Sequence, residues 1–304
     1  MRTGVGARPL GIGGAYVAAV EDVTAIYWNP AGLAWMKTLQ VHGMHAERFA
    51  GLVNWDFVGA GLLLENSLAF GFGFFRLGVD GIPFTDIKDP SRELGEIYFD
   101  DSGRRVQNVP FAYKYVNDTE MAFIFSVAKR RSTDFSYGGN VKVIRKSVGG
   151  YGAWGIGFDF GILLTPYRSM KIGLVLLDGT STLIAWNGGR RELITPHLKA
   201  GIAYPMSISM FEVLPVLDIQ MDFENRGAAA QLALGRLDLG FRGGVEVGFK
   251  NRIAMRIGSD RGHLTAGAGI RAIGLGIDYG FSHHFELGNT HRISVTLSWD
   301  KKHI

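Results

Sequence analysis

Two sets of residues in this 304-residue chain are candidates for binding or chemistry. The first is a contiguous run in which an amide side chain precedes a proline: Trp28, Asn29, Pro30, Ala31 and Gly32. The second is a set of charged residues at alternate positions of predicted strands: Asp159, Asp238, Arg242, Glu246, Arg256 and Asp278. Since no Ser, His and Asp spacing indicates a triad and the chain has no Cys, we expect no catalytic residues and no enzyme activity.

The same spacing rules argue against metal and nucleotide sites. His42 and His45 stand three apart on a predicted strand, so they face opposite sides and cannot chelate one ion together. The glycine run at residues 11–14 has no preceding strand and lacks the Lys of a phosphate-binding loop. Acidic residues within residues 81–110 keep calcium open as an alternative to a solvated surface, and the apolar residues there suggest a lid or partner-contact surface. We therefore expect no cofactor, and no metal unless residues 81–110 bind calcium.

Each candidate set has a structural and a functional interpretation. Asn29 is expected to order the backbone ahead of Pro30, which ends the preceding helix because it lacks an N–H. The alternative is an element whose displacement opens a path. The charged set is expected to brace a wall through cross-strand pairs and to anchor the N-terminal segment. Selection of ions or solutes is the alternative for these charges.

An alternation of period two dominates the chain from about Thr38 onward and predicts extended strands. In one strand Trp154, Ile156 and Phe160 share a face, while Gly155 and Asp159 lie on the other. The strands are near ten residues long, with large apolar side chains on one face and small or charged ones opposite. A transmembrane barrel strand needs this arrangement, so we favour that fold over a soluble sandwich or lipocalin-like barrel.

The predicted turns divide the chain into about fourteen strands. Short connections are expected at residues 65–67, 131–134, 165–169, 205–209, 250–251 and 272–274. The longer connections alternate with them and include residues 81–110, 178–195 and 224–227, so all long loops fall at one end of the barrel. Four aromatic residues are candidates for the girdles at the membrane surfaces: Trp55, Tyr167, Tyr204 and Trp299. The fold predicted is all-β, a transmembrane antiparallel barrel with outer-membrane lipid around it.

Composition and charge also limit which partners and which cellular location we expect. The net charge is +4 and the pI is about 9.2, but basic residues are scattered, so we expect no nucleic-acid partner. The sequence contains no run of 18 apolar residues, so it predicts no membrane-spanning helix. No secretory signal is recognisable at the start of this numbering, and we presume that one has been removed from a protein of the Gram-negative outer membrane.

The first 36 residues do not follow the strand pattern. A glycine-rich turn leads into a stretch that is expected to be helical from about Ala15 to Ala25 and to end at Pro30 and Gly32. The segment is too short to span a bilayer, and it is too apolar to lie exposed to water. We therefore divide the chain into an N-terminal hatch at residues 1–36, placed in the periplasmic mouth, and a barrel at residues 37–304.

Residues 7–34 resemble the N-terminal signature of the PorV/PorQ group of outer-membrane proteins, a branch of the FadL-like barrels. The resemblance depends most on the run from Trp28 to Leu33, and it extends to Arg8, Leu10, Gly11, Gly13, Gly14, Glu21 and Asp22. Strand signatures such as Asp278-Tyr279-Gly280 agree in style over nearly the whole chain. Two departures are the short length and the five residues that follow Trp299.

The resemblance implies a fourteen-stranded barrel with a hatch, the number that the turns also give. It implies a non-enzymatic shuttle or scaffold that works with outer-membrane or secreted proteins in type IX secretion and surface attachment. The alternative function is that of the FadL relatives, which pass long-chain fatty acids and other hydrophobic small molecules through the lumen.

Overall fold

A computed structural model describes residues 3–48, 51–223, 231–284 and 288–299. The chain begins with two short helices, α1 (Ala7–Gly11) and α2 (Ala25–Trp28), and a 3-10 helix (Pro30–Trp35). Among the residues that the structure describes, no helix is long and apolar enough to cross a membrane. We call residues 3–36, the described part of the predicted hatch, the hatch segment.

Strands make up most of the remaining described chain. They are β1 (Leu39–Arg48), β2 (Val53–Leu63), β3 (Leu68–Ile87), β4 (Ile97–Phe99), β5 (Arg105–Gln107), β6 (Pro110–Arg130), β7 (Phe135–Val148), β8 (Tyr151–Tyr167), β9 (Met170–Leu177), β10 (Thr182–Trp186), β11 (Arg191–Ile194), β12 (His197–Ala203), β13 (Met206–Ile208), β14 (Phe211–Asp222), β15 (Leu232–Leu234), β16 (Leu237–Phe249), β17 (Ile253–Asp260), β18 (His263–Ala272), β19 (Leu275–His284) and β20 (Gly288–Trp299).

All of these strands except β4 and β5 form a closed antiparallel barrel. β1 pairs with β2 on one side and with β20 on the other, which closes the sheet and leaves no free edge around the wall. β9 and β10 are two segments of one barrel strand, and β11, β12 and β13 are three segments of the next. Counted in this way, the barrel has fourteen strands. The predicted fold class and strand number are confirmed, and the fold is that of a Gram-negative outer-membrane protein.

The two faces of the wall carry the side chains that the alternation predicts. On β8, Trp154, Ile156 and Phe160 are exposed on the outer face, whereas Gly155 and Asp159 are buried inside. Outward apolar residues recur on every long strand and form a lipid-facing surface. The chain enters β1 and leaves β20 at one end, where the six short turns also lie; we call this the short-turn end and the opposite one the loop end.

The loop end differs from the prediction in two places. Residues 81–110 are not an irregular loop, because β3 runs on to Ile87 and pairs with the start of β6. β3 pairs with β2 only as far as Gly78, so residues 79–118, which include β4 and β5, project as a hairpin arm of about 30 Å. Residues 178–195 contain β10 and β11, which extend the wall. The connection predicted at residues 224–227 lies outside the described residues, as do residues 300–304.

A four-residue bulge explains the second difference. β8 pairs with β9 up to Leu176 and with β10 from Leu183, and residues 178–181 bulge from the strand between them. Asp178 and Ser181 adopt positive φ angles of 55° and 57°, which turn the chain out of the strand and back. A bulge of this kind leaves no mark in the apolar alternation.

Two local predictions in and around the hatch segment are wrong, and a third is incomplete. Residues 15–24 form turns rather than a helix, because their backbone hydrogen bonds go to side chains such as Asp218 and Gln40 of the wall. Pro30 does more than end a helix: it begins the 3-10 helix as its first residue. Trp55 does not belong to a girdle, since it is buried in the lumen and stacks on Phe75 with ring centroids 5.1 Å apart. Tyr167 and Trp299 are exposed on the outer face.

Candidate functional site

The hatch segment fills the lumen. Within it, Asn29 forms hydrogen bonds both to other parts of the hatch segment and to the barrel wall. Asn29 is fully buried; its Nδ2 donates to the carbonyl oxygens of Val17 and Ile162, both at 3.0 Å. Its Oδ1 accepts from the N–H of Ala31 at 3.2 Å. One side chain therefore joins an earlier part of the hatch segment, the start of the 3-10 helix and the wall strand β8.

The rest of the predicted motif packs around this amide. Trp28 donates its indole N–H to the Val5 carbonyl at 2.8 Å and lies edge-on to Tyr27 at 5.4 Å. The carbonyl of Ala31 accepts from the Ser136 hydroxyl at 3.0 Å. A Cβ on Gly32 would lie 2.4 Å from a backbone oxygen of the hatch segment itself, so this position requires glycine.

Inward glycines of the wall form the seat of the hatch segment. At each, an added Cβ would lie within 3 Å of hatch atoms: Gly61, Gly71, Gly73, Gly138, Gly161, Gly173, Gly244, Gly258 and Gly280. We call this set the glycine belt. Its members come from strands on all sides of the lumen, so the hatch backbone lies directly against the wall. The sequence shows that inward positions are small, but not that a second segment occupies the space.

The structure places all six predicted lumen charges inside the barrel, and three of them form one chain of contacts near the short-turn end. Glu246 receives two hydrogen bonds from Arg8 of the hatch segment, at 2.7 and 2.9 Å, and one from Arg256 at 2.5 Å. Arg256 also contacts Asp278 at 2.9 Å, and Asp278 accepts from Arg271 at 2.8 Å. Arg8 therefore ties the hatch to a network that crosses β16, β17, β18 and β19.

A carboxylate of the hatch segment, Asp22, reinforces this anchor. Asp22 lies 3.9 Å from the Arg8 guanidinium and accepts a hydrogen bond from the Tyr16 hydroxyl at 2.7 Å. Burial acts to raise the pKa of the Asp22 carboxyl, but Arg8 and a hydrogen bond from Thr24 outweigh it, so the pKa lies below its usual value. Asp22 is therefore ionised at neutral pH and holds Arg8 in place.

Two more of the predicted charges lie on β16 toward the loop end. Arg242 is buried and donates to Asp260 at 2.7 Å and to Gln220 at 2.8 Å. Asp238 is buried on the same inward face, two strand repeats further along. The bracing interpretation fits Arg242, whose partners come from the two neighbouring strands.

Asp159 belongs to a separate cluster behind the bulge, which the sequence did not reveal. Lys142 on β7 contacts Asp159 at 2.7 Å and Asp178 at 2.6 Å, and all three side chains are buried. Thr182 donates to Asp178 at 2.6 Å, and the Asp178 N–H donates to Asp159 at 2.9 Å. The bulge is thus held against the lumen by a buried lysine between two carboxylates.

An apolar region lies beside this cluster on the loop-end side of the hatch segment. Trp55, Phe75, Ile124 and Ile144 are fully buried and project inward from four neighbouring strands. A cavity of about 50 Å³ lies between the last three of these side chains, the hatch residue Tyr27 and the charged cluster. The cavity therefore has one apolar side and one ionic side. On the short-turn side of the hatch segment, a polar vestibule of about 850 Å³ is open to solvent.

Possible metal ligands are dispersed or already paired. Within the described ranges no group of three or more His, Asp or Glu is arranged to hold a metal ion. In the hairpin arm Asp89 pairs with Arg92 at 2.9 Å, and Asp100 pairs with Arg104 at 3.1 Å. Hydrogen bonds from Ser91 lower the pKa of the Asp89 carboxyl. His42 is buried and His45 is exposed, as the alternation predicts.

The fold and the lumen together define an outer-membrane β-barrel of fourteen strands whose interior is filled by its own N-terminal segment. Three solved structures share this fold. The Ralstonia pickettii toluene transporter TbuX is 14% identical with a TM-score of 0.59, over 97% of each chain. The Pseudomonas putida toluene transporter TodX is 11% identical with a TM-score of 0.59, also over 97% of each chain. A Pseudomonas aeruginosa FadL homologue is 12% identical with a TM-score of 0.55, over 99% of each chain.

These neighbours agree with the broader of the two predicted resemblances, that to FadL-like barrels. No protein-family model and no curated protein matches the sequence. The narrower resemblance, to PorV and PorQ, stays a prediction. At identities of 11 to 14% the likeness establishes the fold.

Proposed function

We propose that this barrel transports hydrophobic small molecules across the outer membrane. The observation that carries the proposal is the apolar region inside the lumen, where Trp55, Phe75 and Ile124 are fully buried. Water-filled porins have polar interiors, so an apolar interior favours an apolar solute. The fold is shared with two barrels that are described as toluene transporters.

The closed cavity sets the size of the movement that transport requires. A dry apolar cavity of about 150 Å³ accommodates benzene, whereas the cavity here has about 50 Å³. The cavity must therefore grow about threefold before an aromatic ligand fits. Tyr27 of the hatch segment and Leu177, which precedes the bulge, line it and are the side chains best placed to move aside.

The direction of transport follows from the arrangement of the connections. Outer-membrane barrels carry their long loops outside the cell and their short turns in the periplasm. On this orientation, the ligand enters from the loop end, reaches the cavity beside the bulge and leaves past the hatch segment into the vestibule. The hatch stays closed in the absence of ligand, because Arg8 and Asn29 fix it to the wall at separate places.

Filling the cavity tests this proposal. The variant Ile124→Trp is expected to lower toluene uptake into proteoliposomes at least tenfold, because the larger ring occupies the space that the ligand needs. The matched control is Phe125→Trp, which alters the next residue of β6 on the lipid-facing side and should leave uptake unchanged. Equal uptake by both variants, or wild-type uptake no faster than in empty liposomes, would contradict the proposal.

The hairpin arm supports a second candidate, the PorV-like role of a scaffold or shuttle for secreted proteins. Phe84, Tyr113 and Tyr115 expose 44, 59 and 66% of their surfaces on the arm, beyond the reach of the barrel wall. Phe84 and Tyr113 lie edge to face with ring centroids 6.4 Å apart. Clustered and exposed aromatic side chains are typical of protein contact surfaces.

Removing the arm separates the two functions. A variant in which residues 80–117 are replaced by an Asn-Gly turn should still form the barrel, because Val79 and Asp118 face each other across the hairpin. Under the transport proposal, this variant keeps toluene uptake within about twofold of wild type. Loss of bound secreted proteins on co-purification in mild detergent, without loss of uptake, would favour the scaffold role.

A further inference from the structure

Some basic side chains of the barrel are paired with carboxylates and others are not. Three at the loop end are paired: Lys146 lies 2.6 Å from Glu120, Arg104 lies 3.1 Å from Asp100, and Arg190 lies 3.4 Å from Glu192. At the short-turn end, Arg131, Arg168 and Lys250 are exposed, and no described carboxylate lies within salt-bridge distance of them. We call these three residues the basic rim.

The basic rim lies at the edge of the lipid-facing surface. Tyr167 is 59% exposed on the outer face at the end of β8, and the Arg168 guanidinium lies 5.1 Å from its ring centroid. Lys250 lies 5.2 Å from the ring centroid of Phe249, the last residue of β16. Aromatic side chains occupy the level of the lipid headgroups in membrane barrels. The two cations that stack on them therefore lie at the level of the phosphates.

The turns in which these cations lie hold them at the level of the lipid phosphates. Arg168 and Lys250 both have a φ of 49°, so each sits at the reversal of a tight turn that projects beyond the strands. Arg131 occupies the corresponding place in the turn between β6 and β7. The three turns are spread around the barrel, so a single small anion cannot reach all of them, whereas the surrounding ring of lipids can.

We propose that the basic rim binds the phosphate groups of anionic phospholipids, in the membrane leaflet at the short-turn end. Cations near an anionic lipid surface gain attraction that falls with ionic strength, and arginine matches the geometry of phosphate oxygens. The partner is identified by charge complementarity and by continuity with the lipid-facing surface. The inference does not depend on what the barrel transports.

Lipid retention by the full-length barrel tests the proposal. The protein is purified from nanodiscs that contain equal amounts of phosphatidylglycerol and phosphatidylcholine, and the lipids that remain bound are counted by native mass spectrometry. We expect about a fivefold preference for phosphatidylglycerol at low salt and its loss in 1 M NaCl. The triple variant Arg131→Gln, Arg168→Gln, Lys250→Gln should retain both lipids equally.

A second triple variant controls for the change in net charge. Lys146→Gln, Arg104→Gln and Arg190→Gln remove the same charge from three loop-end cations that each have a carboxylate partner. This variant should keep the wild-type preference. The proposal is overturned if wild type shows no preference, if the rim variant keeps it, or if the two triple variants lose it equally.

Discussion

Replacing Gly173 by valine is expected to unseat the hatch segment and to make the barrel conduct ions. A Cβ at Gly173 would lie 2.4 Å from the carbonyl oxygen of Val17 and 2.9 Å from the Cα of Ala18, and both are backbone atoms that cannot rotate away. Overpacking of this kind destabilises a close contact by about 1–3 kcal/mol or more. The hatch segment has to yield first, because the three nearest atoms all belong to its backbone.

Conductance in planar bilayers measures the outcome directly. Wild type should stay closed, and the valine variant should show open events together with faster proteolysis of the hatch segment. Gly43→Val is the matched control, since Gly43 lies on β1 with no atom within 4 Å of an added Cβ. If both valine variants remain closed and protease-resistant, the glycine belt does not seat the hatch.

The barrel itself is predictable from the sequence because its physical cause is repeated on every strand. Lipid on one side and a crowded lumen on the other impose the same alternation, which shows at Trp154 and Gly155 as it does at Phe241 and Arg242. The bulge at residues 178–181 and the hairpin arm were missed, since both interrupt or extend strands without changing that alternation. The prediction for Trp55 is wrong because an aromatic residue near a strand end usually lies at the membrane surface, whereas the lumen of this barrel is itself apolar and buries the indole ring.

The candidate site is only half visible in the sequence. The Asn29 motif marks a structured turn, but its wall partner Ile162 is 133 residues away, and only strand register brings the two together. The alternation assigns Arg256 and Asp278 to the lumen; it does not say that they meet, because they lie on strands separated by β18. The lysine of the buried cluster was also missed: Lys142 occupies an inward position like any other, and its role appears only where the bulge brings Asp178 beside it.

Replacing Lys142 by methionine is expected to have the largest effect on stability. Asp159 and Asp178 would then remain buried near each other with no cation between them. Breaking a buried ion pair by removing one partner costs about 3–5 kcal/mol. We expect the free energy of unfolding in urea to fall by that amount and the bulge at residues 178–181 to loosen. Toluene uptake should change as well, because the bulge borders the cavity.

A second substitution distinguishes charge repulsion from simple loss of packing. If the unpaired carboxylates are the cause, adding Asp178→Asn to Lys142→Met should recover part of the lost stability, since one of the two negative charges is removed. Lys146→Met on the same strand is the control: the Lys146 and Glu120 side chains form a pair in which each is 21% exposed to solvent, so its loss should cost under about 1 kcal/mol. A double variant less stable than Lys142→Met would mean that the cluster acts through its hydrogen bonds, with Asp178 needed as an acceptor for Thr182 whatever its charge.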